Sequence, residues 1–214
     1  LSVPIAKEGQ KVILCDLLKD MLKVARQKIR REKLQNSVLL VQGDICHIPF
    51  LNNSFGFALA EGDPISYCSN PKNAIRELSR VLKQNCFIAA GVDSLFSFLR
   101  RMLNSEQANL DEVLKVFKEK RIYAKEWGFD CWAFTPKDLH RLFNKSGLKI
   151  TKIVGKPIMF VRPQTNLIFK DEEQIKKLLE IELKFCENTD IVGYGGHLHI
   201  VARKSQKRNS NKHE

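Results

Sequence analysis

Two buried strands, each with an acidic residue at its end, constrain the fold of this chain more than any other feature. Residues 11–16 and 38–43 are nearly continuous apolar runs, which is typical of parallel strands covered on both faces. Asp16 ends the first run, and Asp44 follows the second. The segment between them has helical periodicity, with an apolar stripe formed by Leu18, Met21, Leu22, Ala25 and Ile29. The unit is therefore strand, helix, strand, with a carboxylate at the end of each strand.

The positions of the two acids indicate a nucleoside-containing cofactor. Open α/β sheets bind ligands in the crevice outside the carboxyl ends of their strands, where an acid accepts hydrogen bonds from ribose hydroxyls. In dinucleotide folds a glycine-rich loop lies about 20 residues before that acid, and this distance from Asp16 runs past Leu1. Residues 1–9 read instead as the tail of a helix that Gly9 ends. We therefore expect the first strand and its glycine loop to be missing, so that the chain is a fragment.

The rest of the sequence alternates between strand and helix patterns, which predicts a doubly wound α/β domain. Further strands are predicted over residues 55–61, 86–92, 148–154 and 197–202. Helices are predicted to start at the caps Asn70-Pro71, Thr135-Pro136 and Asp171. The helix after Asp171 is predicted to bury Ile175, Leu178, Leu179 and Leu183. Gly193-Tyr194-Gly195-Gly196 predicts a hairpin turn before the last strand, which is expected to be antiparallel.

Residues 93–133 interrupt this alternation with a largely helical pattern. An insertion after the carboxyl end of a strand stands above the crevice, so this segment is predicted to be a substrate lid. The aromatic residues at its end either line an apolar pocket or belong to the core: Trp127, Phe129, Trp132 and Phe134. We expect a single domain over residues 1–203 and a disordered basic tail over residues 204–214.

Composition restricts the partners and the compartment. The six cysteines include no C-x-x-C pair, so reduced thiols and a cytoplasmic location are expected. The longest apolar runs are too short to span a bilayer. The net charge is +12, and much of it lies on the helix of residues 19–33 and in the tail. A solvated helix face explains this charge more simply than nucleic acid binding, because aromatic residues are not interleaved with the basic ones.

Several segments, taken together, resemble a known family. They are residues 1–9, the strand ending at Asp16, Gly43-Asp44-Ile45, Ile48-Pro49-Phe50, Asn53-Ser54-Phe55 and residues 75–83. In order and spacing they are similar to class I S-adenosylmethionine-dependent methyltransferases of the ubiquinone/menaquinone type. Three features depart from the family pattern: the glycine loop is absent, Asn85 replaces a glycine turn, and Gly56 stands where Asp is frequent. Asn tolerates the left-handed conformation, so the second departure is mild.

The resemblance implies a fold, an activity and a cofactor site. It implies a Rossmann-like sheet whose first strand lies between residues 11–16 and 55–61, and methyl transfer from S-adenosylmethionine to a small-molecule acceptor. Asp16 would bind the ribose, Leu17 and Met21 would border the adenine, and Asp44 would accept from the adenine amino group. The cofactor-binding set that it implies is Asp16, Leu17, Met21, Asp44, Ile45 and Glu61.

Each of these residues also has a simpler interpretation. Asp16 is a candidate helix N-cap, Asp44 a turn acid, and Glu61 a buried acid satisfied by backbone groups. Asp63-Pro64-Ile65-Ser66-Tyr67 matches the D-P-P-Y signature of amino-group methyltransferases only weakly. With no third ligand apparent, His197 and His199 are predicted to be surface or packing residues, and no metal site is predicted. His47 and His140 are weak candidates for a general base, so the catalytic residue is unknown.

Three other functions compete with small-molecule methylation. One is a non-catalytic methyltransferase-like module, and another is an RNA methyltransferase that uses the basic face. A nicotinamide dehydrogenase is a distant alternative, because none of the tyrosines has Lys four positions on. Without its first strand the chain would leave unpaired strand edges, so we expect it to bind S-adenosylmethionine poorly.

Overall fold

The computed structural model describes residues 1–124, 128–159 and 167–205. The α-helices are α1 (Ser2–Lys7), α2 (Lys19–Arg31), α3 (Pro64–Tyr67), α4 (Pro71–Val81), α5 (Leu95–Leu103), α6 (Leu110–Glu119), α7 (Pro136–Lys145) and α8 (Glu172–Phe185). The strands are β1 (Val12–Asp16), β2 (Val38–Gln42), β3 (Phe55–Ala60), β4 (Leu82–Asp93), β5 (Arg121–Ala124), β6 (Phe129–Trp132), β7 (Leu148–Lys156) and β8 (His197–Lys204). Within the described ranges, no helix is both long enough and apolar enough to cross a bilayer.

The sheets have the predicted α/β topology. β1 and β2 form a parallel pair, and a second sheet has the order β3-β4-β8-β7. β3 and β4 are parallel, whereas β8 is antiparallel to both of its neighbours, as predicted for the last strand. A cleft of about 1060 Å³ separates β1 from β3, and residues of both strands line it. The sheet is therefore interrupted at the place where the family resemblance puts another strand.

Three apolar clusters hold the described residues together. The main core packs α4 and α7 against the larger sheet, and its fully buried members include Ile75, Leu82, Ile88, Phe143 and Leu198. A smaller cluster of Ala6, Ile29 and Val38 joins α1 and α2 to the β1–β2 pair. The third lies within the insertion after β4. Burial of such side chains contributes about 1.5–3 kcal/mol each, so the main core supplies most of the stabilisation.

The insertion after β4 contains two helices, which agree with its predicted helical pattern, and a hairpin that was not predicted. α5 and α6 pack around Leu95, Phe98 and Val116. An antiparallel hairpin of β5 and β6 follows them. Trp132, on β6, donates from Nε1 to the carbonyl of Cys68 at 3.2 Å, which ties the hairpin to the main domain. Trp127 lies outside the described residues, so both interpretations of it, pocket lining and core, stay open.

The helices begin and end where the capping residues in the sequence predict. The side chains of Asn70, Thr135 and Asp171 each accept a hydrogen bond from a backbone N–H in the first turn of their helix. Thr135 also forms a capping box with Asp138, in which each side chain bonds the other residue's backbone. Gly147 ends α7 at a φ of 74°, a left-handed conformation that suits glycine.

Two expectations about packing are wrong. None of the residues of α8 is buried, and Leu183 in its predicted inward stripe is 74% exposed. The short 3₁₀ helix Leu167–Lys170 contacts α8, but most of the apolar side of α8 stays exposed. Met21 and Leu18 in the predicted stripe of α2 are exposed too, because that end of the helix stands beside the open cleft.

The glycine-rich segment before β8 does not form a hairpin turn. It follows a 3₁₀ turn at Val192–Tyr194, and β7, the antiparallel partner of β8, ends far upstream at Lys156. Glycine is needed here for close packing: a Cβ at Gly195 would lie 2.7 Å from the Cα of Gly155. The predicted disordered tail falls almost wholly in residues 206–214, outside the described ranges.

Candidate functional site

Asp16 stands at the carboxyl end of β1, at the turn into α2. Its Oδ1 accepts a hydrogen bond from the backbone N–H of Leu18 at 2.9 Å. The N-cap of α2 is Leu18 itself, which makes no side-chain cap bond. The interpretation of Asp16 as the N-cap is therefore wrong. Asp16 instead forms an Asx turn that leads into the N-cap of α2. This turn occupies only Oδ1 of the carboxylate.

Asp44 follows β2 and shapes the next loop in a similar way. Its Oδ1 accepts from the backbone N–H of Cys46 at 2.8 Å, and its Oδ2 lies 3.7 Å from Nδ1 of His47. Both side chains are solvent-accessible, so this His–Asp pair contributes little to stability. The turn-acid role is present, and it leaves the carboxylate accessible to a ligand.

The two acids lie at adjacent strand ends. In the parallel β1–β2 pair Asp16 is opposite Gln42, and the N–H of Gly43 donates to the carbonyl of Asp16 at 3.1 Å. Partial burial, together with the charges of Asp16 and Asp44, raises the pKa of the Cys15 thiol. Both carboxylates are therefore near enough to Cys15 to act on its thiol, although only Asp16 is among the residues that line the cleft between β1 and β3.

The cleft between β1 and β3 brings three of the six predicted cofactor residues together. Asp16, Met21 and Glu61 all line it. Leu17 is 60% exposed next to Asp16. Ile45 packs partly against the main core instead. The lining is mainly apolar along the strands and becomes acidic at the carboxyl ends.

A second group of side chains, which the sequence did not predict, lies at the same edge of the larger sheet. His197 Nδ1 is 3.1 Å from Asp63 Oδ2 and 3.5 Å from Asp93 Oδ1. His199, two residues further along β8, has Nδ1 3.2 Å from the Glu61 carboxylate. The histidines are therefore paired with acids, which corrects the prediction that they are simple surface or packing residues. The interpretation of Glu61 as satisfied by backbone is also replaced by this pairing.

The electrostatics of this group are dominated by burial and negative charge. Burial, followed by the charge of Asp63, raises the pKa of Asp93 to about 6. Burial and then the charges of Asp93 and Asp63 raise the pKa of the Tyr67 phenol. The contact with Asp63 raises the pKa of the His197 imidazole. Perturbed groups of this kind cluster at functional sites more often than elsewhere.

The two other histidines considered as bases stand apart from this group. His47 makes only the accessible pair with Asp44. His140 lies on the exposed side of α7. All six cysteines are free thiols, as the sequence predicted.

Comparison with known proteins finds a family model that matches the first part of the chain, and relatives that match more of it. Residues 1–90 match the family described as "Methyltransferase domain". A demethylmenaquinone methyltransferase of Lactobacillus johnsonii is 28% identical over 128 residues, which are 52% of this chain and 52% of that protein. The chain thus spans about half the length of that relative. A tRNA 5-carboxymethoxyuridine methyltransferase of Escherichia coli is 21% identical over 97% of this chain and 77% of its own length.

Solved structures show the same fold. An S-adenosylmethionine-dependent methyltransferase from Methanosarcina mazei aligns with a TM-score of 0.65 at 17% identity. The alignment covers 97% of this chain and 88% of that one. The fold of the chain is therefore one that occurs among solved structures.

Proposed function

Since the chain belongs to the class I S-adenosylmethionine-dependent methyltransferases, we propose that it transfers the methyl group of S-adenosylmethionine to a small-molecule acceptor. The observation that carries the proposal is the convergence of Asp16, Met21 and Glu61 on one cleft at the carboxyl ends of β1 and β3. When bound, the cofactor supplies an electrophilic methyl group on a positively charged sulfur. The chain itself then has to bind and orient the cofactor and the acceptor and to exclude water from them.

The residues at this edge suit the two polar parts of an adenosine group. Asp16 presents carboxylate oxygens that accept from ribose hydroxyls, and its turn with Leu18 fixes their position. Leu17 and Met21 are exposed apolar side chains beside it, suited to an adenine face. Asp44, at the adjacent strand end, accepts from the adenine amino group. Ile45 completes the proposed set from the side of the core.

We propose that residues 93–133 act as the acceptor-binding lid, within a domain over residues 1–203. The insertion contacts the edge that carries the acids, because the Tyr67 ring packs against Phe129 of β6 at a centroid distance of 5.6 Å. Tyr67 in turn lies beside Asp93. An acceptor held under the insertion would therefore meet the cluster at the ends of β3 and β4.

Titration of the ¹⁵N-labelled chain with S-adenosylmethionine, followed by NMR, tests the cofactor site. Because no hydrogen bonds join β1 to β3 across the cleft, we expect weak binding, which NMR still detects. The amides of residues 16–18, 21, 44–45 and 61 should shift. Asp16→Asn keeps the turn but removes the charge, so it should weaken binding roughly tenfold or more.

The matched control is Asp20→Asn, on the first turn of α2. Asp20 is exposed and pairs only with Lys23 among the described residues, so its loss should leave the affinity unchanged. Equal affinities of the two variants would contradict the assignment of Asp16. No shift anywhere at high cofactor concentration would favour the non-catalytic module.

RNA methylation is the second candidate, favoured by the E. coli tRNA methyltransferase that aligns with nearly the whole chain. The basic side chains of α2 and the following turn are exposed: Lys19, Lys23, Arg26, Lys28, Arg30, Arg31 and Lys33. If they bind phosphates, the logarithm of tRNA affinity falls steeply with the logarithm of salt concentration. The triple variant Lys23→Glu, Arg26→Glu, Arg30→Glu should then flatten that slope. Weak binding that salt does not change would leave the small-molecule proposal in place.

A further inference from the structure

Three ligand-type side chains meet at the carboxyl edge of the larger sheet. Asp63 follows β3, Asp93 ends β4 and His197 begins β8. One carboxylate oxygen from each Asp and one ring nitrogen of His197 all lie within 4.8 Å of one another. This is the spacing of groups that share one small central ligand.

The most buried member of the group is incompletely satisfied. Asp93 is 4% exposed, and its Oδ2 has no hydrogen-bond partner among the residues that the structure describes. A buried carboxylate oxygen without a partner costs free energy comparable to a lost charge-assisted hydrogen bond. Its other oxygen is 3.5 Å from His197 Nδ1, a distance too long for a strong bond. The Tyr67 side chain hydrogen-bonds this carboxyl group as well, which leaves Oδ2 as the unpaired oxygen of Asp93.

The charges around the group do not balance. Two carboxylates share one imidazole, so when both acids are ionised at least one negative charge remains among the three side chains even if His197 is protonated. The charge of Arg101 on α5 lowers the pKa of Asp93, but burial and the charge of Asp63 raise it by more. The neighbouring Glu61 carboxylate is already paired with His199, and it adds negative charge rather than removing it.

We propose that Asp63, Asp93 and His197 bind one divalent transition-metal cation. Two carboxylate oxygens and one imidazole nitrogen suit Mn²⁺, Fe²⁺, Co²⁺ or Zn²⁺. Mg²⁺ and Ca²⁺ prefer a shell made only of oxygen. Three protein ligands leave coordination positions open for water or a bound molecule.

The scaffold fixes the proposed ligands before a cation binds. Asp93 and His197 are partners in the β4–β8 register, and the N–H of Asp93 donates to Ser66 Oγ at 2.9 Å. Gly91 leaves room for the neighbouring acids, because a Cβ there would lie 3.0 Å from Asp63 Oδ1 and 3.3 Å from Glu61 Oε2. The cation would thus sit beside Glu61, on the edge proposed for the methyl acceptor.

Mn²⁺ binding to the reduced 214-residue chain, followed by electron paramagnetic resonance of the free ion, tests the proposal. Mn²⁺ is chosen because it disfavours thiolate ligands, and the chain has six free cysteines. We expect one bound ion per chain and weaker binding of Mg²⁺. Asp93→Asn and His197→Asn should each weaken Mn²⁺ binding at least about tenfold, the loss caused even by outer-shell partners. No cofactor is present, so the result is independent of the methyl-transfer proposal.

His47→Asn is the matched control, because His47 also stands beside an Asp but without a second carboxylate. It should bind Mn²⁺ like the unaltered chain. Absence of Mn²⁺ binding, or equal losses in His47→Asn and His197→Asn, would overturn the proposal, as would tighter binding of Mg²⁺.

A measurement on the unaltered chain covers the case in which the variants fail to fold. Substoichiometric Mn²⁺ should broaden the imidazole NMR signals of His197 and His199 before those of His47 and His140. Equal broadening of all the histidine signals would mean surface binding without a specific site, and would overturn the proposal.

Discussion

Glu77 and Arg80, one turn apart on α4, together hold the loop that follows Asp44. Glu77 Oε1 accepts from Arg80 Nε at 2.7 Å, and Glu77 Oε2 accepts from the N–H of Ile48 at 3.0 Å. The Arg80 guanidinium donates to the carbonyls of Ile48 and Phe50 at 2.8 and 2.7 Å. A planar guanidinium makes these bonds at fixed angles, which a lysine ammonium cannot reproduce. The pair therefore fixes the path of the chain next to the proposed adenine site.

Arg80→Lys should destabilise the protein by roughly 2 kcal/mol, because it removes several charge-assisted bonds while keeping the charge. Urea unfolding followed by circular dichroism measures the change. Arg76→Lys, an exposed position on the same helix, is the control and should stay within about 0.5 kcal/mol. Equal stability of the two variants would mean that the loop is held by its apolar residues alone.

The same pair predicts a pH dependence of stability. The bond from Arg80 lowers the pKa of Glu77, against the opposing effect of partial burial, and the Ile48 N–H adds to the lowering. A carboxyl group whose folded pKa is depressed stabilises the fold fully above its unfolded value, about 4.3, and loses that contribution as pH falls through the folded pKa. The difference in unfolding free energy between the unaltered chain and Glu77→Gln should therefore shrink as pH falls from 7 to 3. For Glu112→Gln, at an exposed position on α6, the difference should be small throughout.

Local signals in the sequence predicted much of the fold. The caps at Asn70, Thr135 and Asp171 act within one turn of a helix, so short-range chemistry is enough to locate them. The strand runs and the acids at their ends were predicted for the same reason. The failure at α8 has the opposite cause: periodicity reports an apolar stripe, whereas burial depends on whether another element covers that stripe.

The acid–histidine group could not be predicted from spacing. Asp63, Asp93 and His197 lie in three segments separated by 30 and 104 positions, and they meet only because β8 pairs beside β4. A sequence pattern reports neighbours along one element, and the order of strands in a sheet is a long-range property. Asp16 and Asp44 were easier to place, because they end two strands joined by a single helix.

Asp138 joins the insertion to the main domain and provides a third prediction. It is almost fully buried and accepts from Lys120 at the end of α6. Its Oδ2 also accepts from the Thr135 hydroxyl at 2.7 Å and, in the capping box, from the Thr135 N–H at 3.1 Å. Burial raises the pKa of Asp138, but the bonds from Lys120 and Thr135 outweigh this effect and lower it. Removing one partner of a buried pair costs about 3–5 kcal/mol, so Asp138→Ala should destabilise by roughly 3 kcal/mol, since Lys120 is partly exposed.

The control for Asp138→Ala is the second ion pair of the insertion. Arg121 and Asp130 pair across the β5–β6 hairpin with both side chains accessible. Pairs of this kind are worth about 0–1 kcal/mol, so Asp130→Ala should change the unfolding free energy by less than that. Equal losses in thermal and urea unfolding would mean that the burial of Asp138 has no energetic consequence.

Asn85 carries the last prediction, because it lies in β4 at the position where the family resemblance puts a glycine turn. Its φ is 62°, and the register between β3 and β4 shifts at this point. A residue other than Gly, Asn or Asp pays about 1–2 kcal/mol in this left-handed conformation, so Asn85→Ala should destabilise by roughly 1 kcal/mol. Asn85→Gly should be nearly neutral, because easier backbone geometry is offset by a more flexible unfolded chain. The neighbouring Gln84→Ala, at an ordinary backbone position, should change the unfolding free energy by less than about 0.5 kcal/mol. If Asn85→Ala were as stable as Asn85→Gly, the left-handed conformation could not be the reason for Asn at this position.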